Sequence, residues 1–500
     1  MQADAHHCPP SKRKFVIIVA FLASAMGFID GTIIAIALPN IRVSLDTSFI
    51  EAQWIANAYL LTLSAFILLG GGLGDKLGIR RVFSFGLIVF VATSLACVFA
   101  WDARSLIVFR ALQGIGSAIM LPCSMALIAR NTPKSERGKA MGIWVAASSI
   151  TTAIGPFLGG LLLTYGGGEA WRLIFAINLP IGLLALFLLQ TQVPNDEPQQ
   201  EGGVKSLDWT GGALLTLALG AIAIGLTFLA EDEAQTLSVT FLIVGLLISV
   251  IAIGWERKAA SPMIDMGLFC SVGFSGANLV TSLIWTSMGA VTFFLPMLVI
   301  VGWKLPPAYA GSMFLPFSIM ITILSPAVGG MVDRFGTRLL LSVGSLIFGA
   351  GCLGIAWAIA HQDYWWGLLP GFTILGLGIS MMGTTVAAAV VNTVPEHKTG
   401  AASGINNMVS RMAFLFAIAG LGALVAHRYA AAIRAGSLPP DIEELMVQAG
   451  FGERLSGGLY QIATVDLQAA AMNQAMLTLF LTLAAMAFIA VPISFLTQDR

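Results

Sequence analysis

Long apolar runs recur along the whole chain, and they restrict its fold more than any other feature. A helix needs about 20 apolar residues to cross the hydrocarbon core of a bilayer, and only helices and closed barrels can span it. Fourteen runs of suitable length occur, at 15–39, 50–73, 80–100, 105–129, 139–164, 171–191, 209–229, 237–255, 273–302, 308–332, 338–360, 366–391, 400–427 and 474–497. The sequence therefore predicts an all-α polytopic membrane protein with fourteen transmembrane helices.

The composition excludes several classes of protein. Hydrophobic residues make up 57% of the chain and charged residues only 10%, whereas soluble domains carry about 25% charged residues. A net charge of zero argues against nucleic-acid binding. The cysteines form no CxxC pair, which argues against a metal site or a disulfide framework. The sequence has no GxxxxGKS/T phosphate loop and no catalytic cluster, so we expect neither an enzyme nor a nucleotide-driven pump, and no cofactor.

Lys and Arg residues are concentrated on one predicted side of the membrane. With an even number of helices the two termini share a side, and assigning them to the cytoplasm places most of the 26 basic residues there. Lys12, Arg13 and Lys14 precede an apolar run that imitates a signal peptide, but the run continues to Pro39. We therefore predict an uncleaved first helix in a plasma (inner) membrane protein whose termini are both cytoplasmic.

Two similar loops divide the chain into related halves. GGLGDKLGIR at 71–80 aligns without a gap with GGMVDRFGTR at 329–338. Two related halves that face each other are typical of transporters, with the substrate site near the bilayer midplane between them. The predicted parts are a cytoplasmic tail at 1–14, a six-helix bundle at 15–191, a linker with two additional helices at 192–272, a second six-helix bundle at 273–497 that includes an external loop with short surface helices at 428–473, and a cytoplasmic end at 498–500.

Each of these loops combines glycines, one aspartate and several basic residues. Glycine permits tight turns and close helix approach, and the aspartate can accept hydrogen bonds from backbone N–H groups at a helix start. We interpret the two loops as a latch that holds one conformation, rather than as a substrate site. The predicted latch residues are Gly71, Asp75, Gly78, Arg80, Arg81, Asp333, Arg334, Gly336 and Arg338.

Further motifs follow in order along the first half. They are DGT at 30–32 with ALP at 37–39, RALQGIG at 110–116, GPFLGG at 155–160, and WR at 171–172 with NLPIG at 178–182. Together with the repeated loops, they resemble the fourteen-helix drug:proton antiporters of the major facilitator superfamily. The resemblance implies a major facilitator fold, with two six-helix bundles plus two inserted helices, and proton-coupled efflux by alternating access. Ile79 and Thr151 depart from the family's motifs, and the second half lacks a membrane-embedded acid that some relatives carry.

Three ionisable residues lie deep inside predicted helices: Asp30, Arg110 and Arg411. Placing each one there costs about 3 kcal/mol on insertion scales, and such residues usually face the bundle interior and are functional. Asp30 lies roughly 14 Å from Pro39 along the first helix, and Arg110 lies at a comparable depth, so a direct pair between them is possible. We predict that Asp30 carries the proton, with a purely structural role as the alternative. For Arg110 the resemblance implies proton coupling, with a structural ion pair as the alternative.

Small residues and aromatic residues complete the candidate site. Gly155, Pro156, Gly159 and Gly160 form the exporter motif, and we expect them to control bending of the fifth helix. A drug pocket should be apolar and aromatic with few polar groups. The candidate pocket residues are Trp54, Asn57, Tyr59, Gln113, Trp144, Asn278, Trp285, Phe293, Asn406, Asn407 and Arg411.

The predicted function is proton-driven export of lipophilic, cationic compounds, in which proton and drug compete for Asp30. The alternative is an exporter of an endogenous metabolite, a siderophore or an amphipathic acid, because the same motifs serve both. A subunit of a respiratory complex should show Lys and Glu residues along an intramembrane proton path, and the sequence shows none. The expected partners are small lipophilic substrates, protons and the lipid bilayer, and the expected state is a monomer.

Overall fold

Helices account for every regular element of the part of the chain that the computed structural model describes, which confirms the predicted all-α class. The described residues are 10–194, 208–229, 234–260, 262–395, 398–436, 439–449 and 461–497. The end of the chain after residue 497, and parts of the N-terminal tail, the linker and the predicted external loop, lie outside these ranges.

The first half and the linker contain eight consecutive long helices among the described residues. These helices are α1 (Pro10–Leu45), α2 (Phe49–Leu77), α3 (Ile79–Val98), α4 (Ala103–Asn131), α5 (Lys134–Tyr165), α6 (Gly168–Gln192), α7 (Trp209–Phe228) and α8 (Gln235–Glu256). Side-chain caps fix several helix starts. Ser48 and Glu51 form a capping box at α2, and Asp102 and Ser105 form one at α4, an arrangement that stabilises a helix by about 1 kcal/mol. The backbone N–H of Ser105 also holds the pKa of Asp102 below its ordinary value.

The second half repeats this pattern. Its helices are α9 (Val272–Gly302), α10 (Pro307–Val332), α11 (Arg334–His361), α12 (Tyr364–Asn392), α13 (Thr399–Arg434) and α14 (Gln461–Ser494), with a short helix Pro440–Ala449 between the last two. Because α13 continues to Arg434 and α14 begins at Gln461, the stretch between them is shorter than the predicted loop 428–473.

Hydropathy and length support the predicted membrane spans. Among the described residues, 13 helices are long and apolar enough to cross a bilayer. The α5 helix lies between two of them, and its apolar stretch Ile150–Tyr165 is shorter. The count of fourteen transmembrane helices therefore stays a prediction. The first helix does not stop at Pro39 but continues to Leu45.

The two inserted helices pack against each other and along one side of the first half. Gly225 of α7 lies against Leu242 of α8, and Ser238 donates a hydrogen bond to the Gly225 carbonyl at 2.7 Å. On its other side α7 approaches α2, where a Cβ on Gly212 would meet the side chain of Leu69. Small residues therefore bring the inserted pair close to the first bundle.

Gly78 and Gly336 occupy equivalent places in the repeated loops and share an unusual backbone conformation. Their φ angles are 94° and 78°, and Gly336 interrupts the helical run Phe314–His361 in the first turn of α11. Residues with a side chain rarely adopt this region, so both turns require glycine. The matching geometry supports the internal repeat.

Gly336→Ala is expected to lower the melting temperature of the purified protein in detergent. The added Cβ would force a conformation that costs about 1–3 kcal/mol for a residue other than glycine. Gly330→Ala is the matched control, because the same loop offers open space for a Cβ there. Equal melting temperatures for the two variants would contradict the expectation.

Candidate substrate and proton site

A buried ion pair joins α1 to α4 in the centre of the first half. The Nη1 atom of Arg110 donates to Oδ2 of Asp30, and the two residues are 0% and 2% exposed. The direct Asp30–Arg110 pair, which the sequence indicated only as a possibility, is therefore formed. Removing two charges from water is costly unless both are fully hydrogen-bonded, so the remaining contacts of the pair decide what it can do.

Gln113 completes the hydrogen bonding of this pair. Its Nε2 atom donates to Oδ1 of Asp30 at 3.1 Å and to Oγ of Ser94 at 2.8 Å, while its Oε1 atom accepts from Arg110 at 2.7 Å. Asn178 on α6 also donates to Ser94 Oγ, at 3.2 Å. Both carboxylate oxygens of Asp30 therefore have a donor. Gln113, predicted as a pocket residue, is fully buried within this polar network.

Arg110 has further contacts that hold it in place. Its Nε atom donates to the carbonyl of Ile55 at 3.1 Å, and its guanidinium carbon lies 4.4 Å from the Tyr59 ring centroid and 5.8 Å from that of Phe175. Aromatic faces attract a guanidinium, more strongly where water is excluded. These contacts do not involve Asp30, so they remain available to Arg110 when Asp30 is protonated.

The exporter motif on α5 contacts both halves of the protein. A Cβ on Gly155 would lie 3.2 Å from Ile29 of α1, and one on Gly159 would collide with Ile33. On the opposite side, a Cβ on Gly160 would lie 2.6 Å from the carbonyl oxygen of Pro307 on α10. The motif residues therefore allow α5 to pack closely against α1 and α10 at the same time.

Contacts between the halves concentrate at the predicted external end. The carbonyl of Pro156 lies directly over Gly311 of α10, and the backbone N–H of Ala308 donates to Oγ1 of Thr164 at 3.0 Å. A cavity of about 710 Å³ lies at the same end, where α1, α5 and α9 finish. On another side of the interface, Gln53 on α2 donates to the carbonyl of Ile418 on α13 at 2.9 Å.

The pocket candidates of the first half divide into packed and accessible residues. Trp144 is buried and donates to Oγ of Ser24 at 3.1 Å, and the Tyr59 hydroxyl lies 2.9 Å from Oγ of Ser117. Trp54 is half-buried. Asn57 is fully buried, and its amide nitrogen and oxygen have no hydrogen-bond partner among the residues that the structure describes.

In the second half, Asn406 and Asn278 belong to a polar cluster between α13 and α9. Asn406 donates to Oδ1 of Asn278 at 3.2 Å and to Oγ1 of Thr281 at 2.8 Å. Asn407 is exposed and its amide donates to the Ser403 carbonyl. These contacts use Asn406 for helix packing and leave Asn407 accessible.

The remaining candidates of the second half are aromatic or basic. Phe293 is buried against Phe294, with the ring centroids 4.8 Å apart. Trp285 is half-buried and lies 5.8 Å from Phe414, between ring centroids. Arg411 is half-buried, and its guanidinium carbon lies 6.0 Å from the Phe28 ring centroid on α1.

The predicted latch residues lie at the junctions α2–α3 and α10–α11. Arg80 donates to the carbonyl of Gln190 at 3.0 Å, and Arg338 donates to that of Thr497 at 2.5 Å. Arg81 and Arg334 are exposed. The side chains of Asp75 and Asp333 are not among those that the structure describes. A latching role for these loops stays a prediction.

Sequence reasoning missed Ser94, Asn178 and Phe175, which surround the ion pair. Asn178 belongs to the NLPIG motif of the sixth helix, but the motif alone indicates no role for its amide. Ser94 had no signal of its own, because a serine in an apolar run is compatible with any helix interior. Only the packing of α3 against α4 shows its position.

Comparison with known proteins identifies the family. The family model described as Major Facilitator Superfamily matches residues 20–418. The chain belongs to the major facilitator superfamily. It is a multi-pass membrane transporter and not an enzyme, and its relatives include bacterial drug-resistance and export proteins.

Relatives in this superfamily share about 30% of their residues with the chain. The tetracenomycin C resistance and export protein of Streptomyces glaucescens is 31% identical over 432 residues, covering 84% of this chain and 78% of the relative. The multidrug resistance protein Stp of Mycobacterium tuberculosis is 30% identical over 417 residues, covering 82% and 75%. The riboflavin transporter RibZ of Clostridioides difficile is 28% identical over 394 residues, covering 78% and 83%.

Solved structures share the major facilitator fold at low sequence identity. A bacterial homologue of the human lysosomal transporter Spinster, in an inward-facing conformation, aligns with a TM-score of 0.69 at 16% identity, over 98% of this chain and 99% of that one. The xylose transporter XylE from E. coli aligns with a TM-score of 0.62 at 13% identity, over 98% and 97%. These similarities confirm the predicted fold.

Proposed function

We propose that this protein is a proton-coupled exporter of lipophilic compounds, working as a substrate:proton antiporter in the inner membrane with both termini in the cytoplasm. The observation that carries the proposal is the buried cluster of Asp30, Arg110 and Gln113, because an acid placed so deeply needs a functional reason. The names of the relatives that act in drug resistance and export support the direction of transport.

Protonation of Asp30 is the proposed coupling step. A neutral carboxyl no longer attracts the Arg110 guanidinium, which keeps the Ile55 carbonyl, Gln113 and the Tyr59 ring as partners. Asp30 follows Ile29, the α1 residue that packs on Gly155. A change at the ion pair therefore acts on the α1–α5 contact, and α5 is also the helix that contacts α10.

The contacts between the halves support an inward-open arrangement for this conformation. The α5 and α10 helices meet through Gly160, Pro307 and Gly311 at the predicted external end. Opening this contact, while the opposite end closes, would expose the site between the halves to the other side of the membrane. Alternating access of this kind exchanges one substrate for protons per cycle.

Transport by the purified protein in liposomes tests the proposed function. The liposomes contain a trapped pH-sensitive dye and an acidic interior, and a substrate is added outside. Antiport predicts that substrate entry raises the interior pH faster than in protein-free liposomes. Substrate movement that leaves the interior pH unchanged would contradict proton coupling.

Export of a metabolite is the second candidate function, and similarity to a riboflavin transporter favours it. The same liposomes distinguish the two, with riboflavin, the cationic dye rhodamine 123 and the anionic dye fluorescein as separate substrates. A metabolite exporter should exchange protons for riboflavin and for neither dye. A drug exporter should accept at least one of the dyes.

A further inference from the structure

Inside the second half lies a cationic side chain for which the described part of the chain supplies no counter-charge. Arg411 lies on α13, one of the helices long and apolar enough to span the membrane. Within the described residues it has no hydrogen-bond acceptor and no carboxylate partner. Its guanidinium faces the Phe28 ring across the interface between the halves, at 6.0 Å. A charged group in this position is costly, and such groups usually line a substrate path or a water-filled cavity.

The charge of the other half does not compensate Arg411. Asp30 is paired with Arg110, and its second oxygen accepts from Gln113, so each carboxylate oxygen already has a donor in the first half. The Asp30–Arg110 pair is neutral as a unit. Among the ionisable residues predicted deep in the helices, Arg411 is thus the one whose charge remains available to a substrate.

Aromatic and polar groups accompany Arg411 on one face of α13. Asn407 precedes it by one turn and Phe414 follows it by about one turn, so the three side chains share a face. Phe414 contacts Trp285 of α9, with their ring centroids 5.8 Å apart and their planes inclined by 34°. Asn407 is exposed, and the three aromatic rings of Phe28, Trp285 and Phe414 are each half-buried.

We propose that Arg411 binds an anionic group, a carboxylate or a phenolate, on an aromatic substrate whose rings lie against Trp285, Phe414 and Phe28. A guanidinium binds carboxylates well because its donors match their geometry. This proposal rests on the proposed transport function and specifies its substrate class. It differs from the cationic class predicted from the sequence, which assigned binding of the substrate charge to the Asp30 carboxylate.

The two xanthene dyes, fluorescein and rhodamine 123, test the proposal because they share a ring system and differ in charge. Binding to the full-length protein in detergent is followed by dye anisotropy at one pH, relative to empty micelles, with no proton gradient. The proposal predicts tighter binding of fluorescein than of rhodamine 123. Equal or tighter binding of rhodamine 123 to the wild-type protein would overturn it.

Substitutions at Arg411 locate the binding charge. Arg411→Gln should weaken fluorescein binding about tenfold or more, as expected for loss of one charged hydrogen-bond donor group, without weakening rhodamine 123 binding. Arg411→Lys should retain most of the fluorescein affinity. Arg428→Gln, the same change roughly 25 Å along α13 at an exposed position, should have no effect. Unchanged fluorescein binding in Arg411→Gln would overturn the proposal.

The binding and liposome measurements together distinguish failure of the anion site from failure of the proposed antiport. Fluorescein binding that depends on Arg411, without proton exchange in liposomes, would refute antiport and support the anion site. Proton exchange with rhodamine 123 but not with fluorescein would support antiport and refute the anion site. If Arg411→Gln does not fold, the dye preference of the wild-type protein and the Arg411→Lys variant still decide the outcome.

Discussion

Asp30→Asn is expected to abolish proton-driven substrate transport in liposomes while leaving substrate binding in detergent in place. Asparagine cannot carry the proton, but its amide oxygen can still accept a hydrogen bond from Arg110 or Gln113. Because removal of one partner from a buried ion pair can cost about 3–5 kcal/mol, the variant must first be shown to purify as a monodisperse species. Transport is then measured as the proton-dependent change of the interior pH.

The control for this variant is Asp102→Asn, the same change at an acid in the connection before α4. Asp102 caps α4 by accepting from the N–H of Ser105 at 2.7 Å, and asparagine caps helices equally well. This control should transport normally. Asp30→Glu, which keeps an acid, should retain part of the activity. Transport by Asp30→Asn at the wild-type rate would refute the role of Asp30 as proton carrier.

Gly311→Ala is expected to reduce transport about tenfold or more by opposing closure at the predicted external end. The added Cβ would collide with the Pro156 carbonyl, and α5 and α10 could not approach as they do here. Overpacking of this kind costs about 1–3 kcal/mol, and every 1.4 kcal/mol changes a population ratio about tenfold. The population should therefore shift towards the state that is open to the outside.

Thiol labelling reports this shift directly. Leu163 lines the cavity at the predicted external end and is buried, so Leu163→Cys should react faster with a membrane-impermeant maleimide when Gly311→Ala is also present. Cys8 and the exposed Cys270 are replaced by serine in this background. Gly383→Ala, where a Cβ meets nothing within 4 Å, serves as control. Equal labelling with and without Gly311→Ala would contradict a closing role for this contact.

The sequence predicted the helices well because hydrophobic length is a local property. Depth along a helix also allowed the Asp30–Arg110 pair to be anticipated, since depth follows from the residue count alone. The bridge through Gln113 and Ser94 could not be predicted, because it depends on how α1, α3 and α4 are rotated about their axes. The same limit applies to Gly160 and Gly311, whose contact partners lie in opposite halves.

The substrate class shows this limit most clearly. From the sequence, Asp30 was the one deep acid and suggested a cationic substrate, but whether a carboxylate is free or occupied depends on its neighbours. In the structure, the Asp30 carboxylate accepts from Arg110 and from Gln113, whereas the Arg411 guanidinium faces the Phe28 ring. The sequence can thus identify a single buried ionisable residue. Only the surrounding contacts show whether that residue is free to bind a substrate.

Binding of an anion by Arg411, as proposed, would have an electrical consequence for the cell. Exchange of one outgoing monoanion for one incoming proton moves two elementary charges in the same direction, whereas exchange of a monocation for a proton moves none. A membrane potential of 100 mV contributes about 2.3 kcal/mol per charge, or about 4.6 kcal/mol for two charges. Export of an acid by this protein would therefore continue in alkaline surroundings, where the proton gradient has vanished and only the voltage remains.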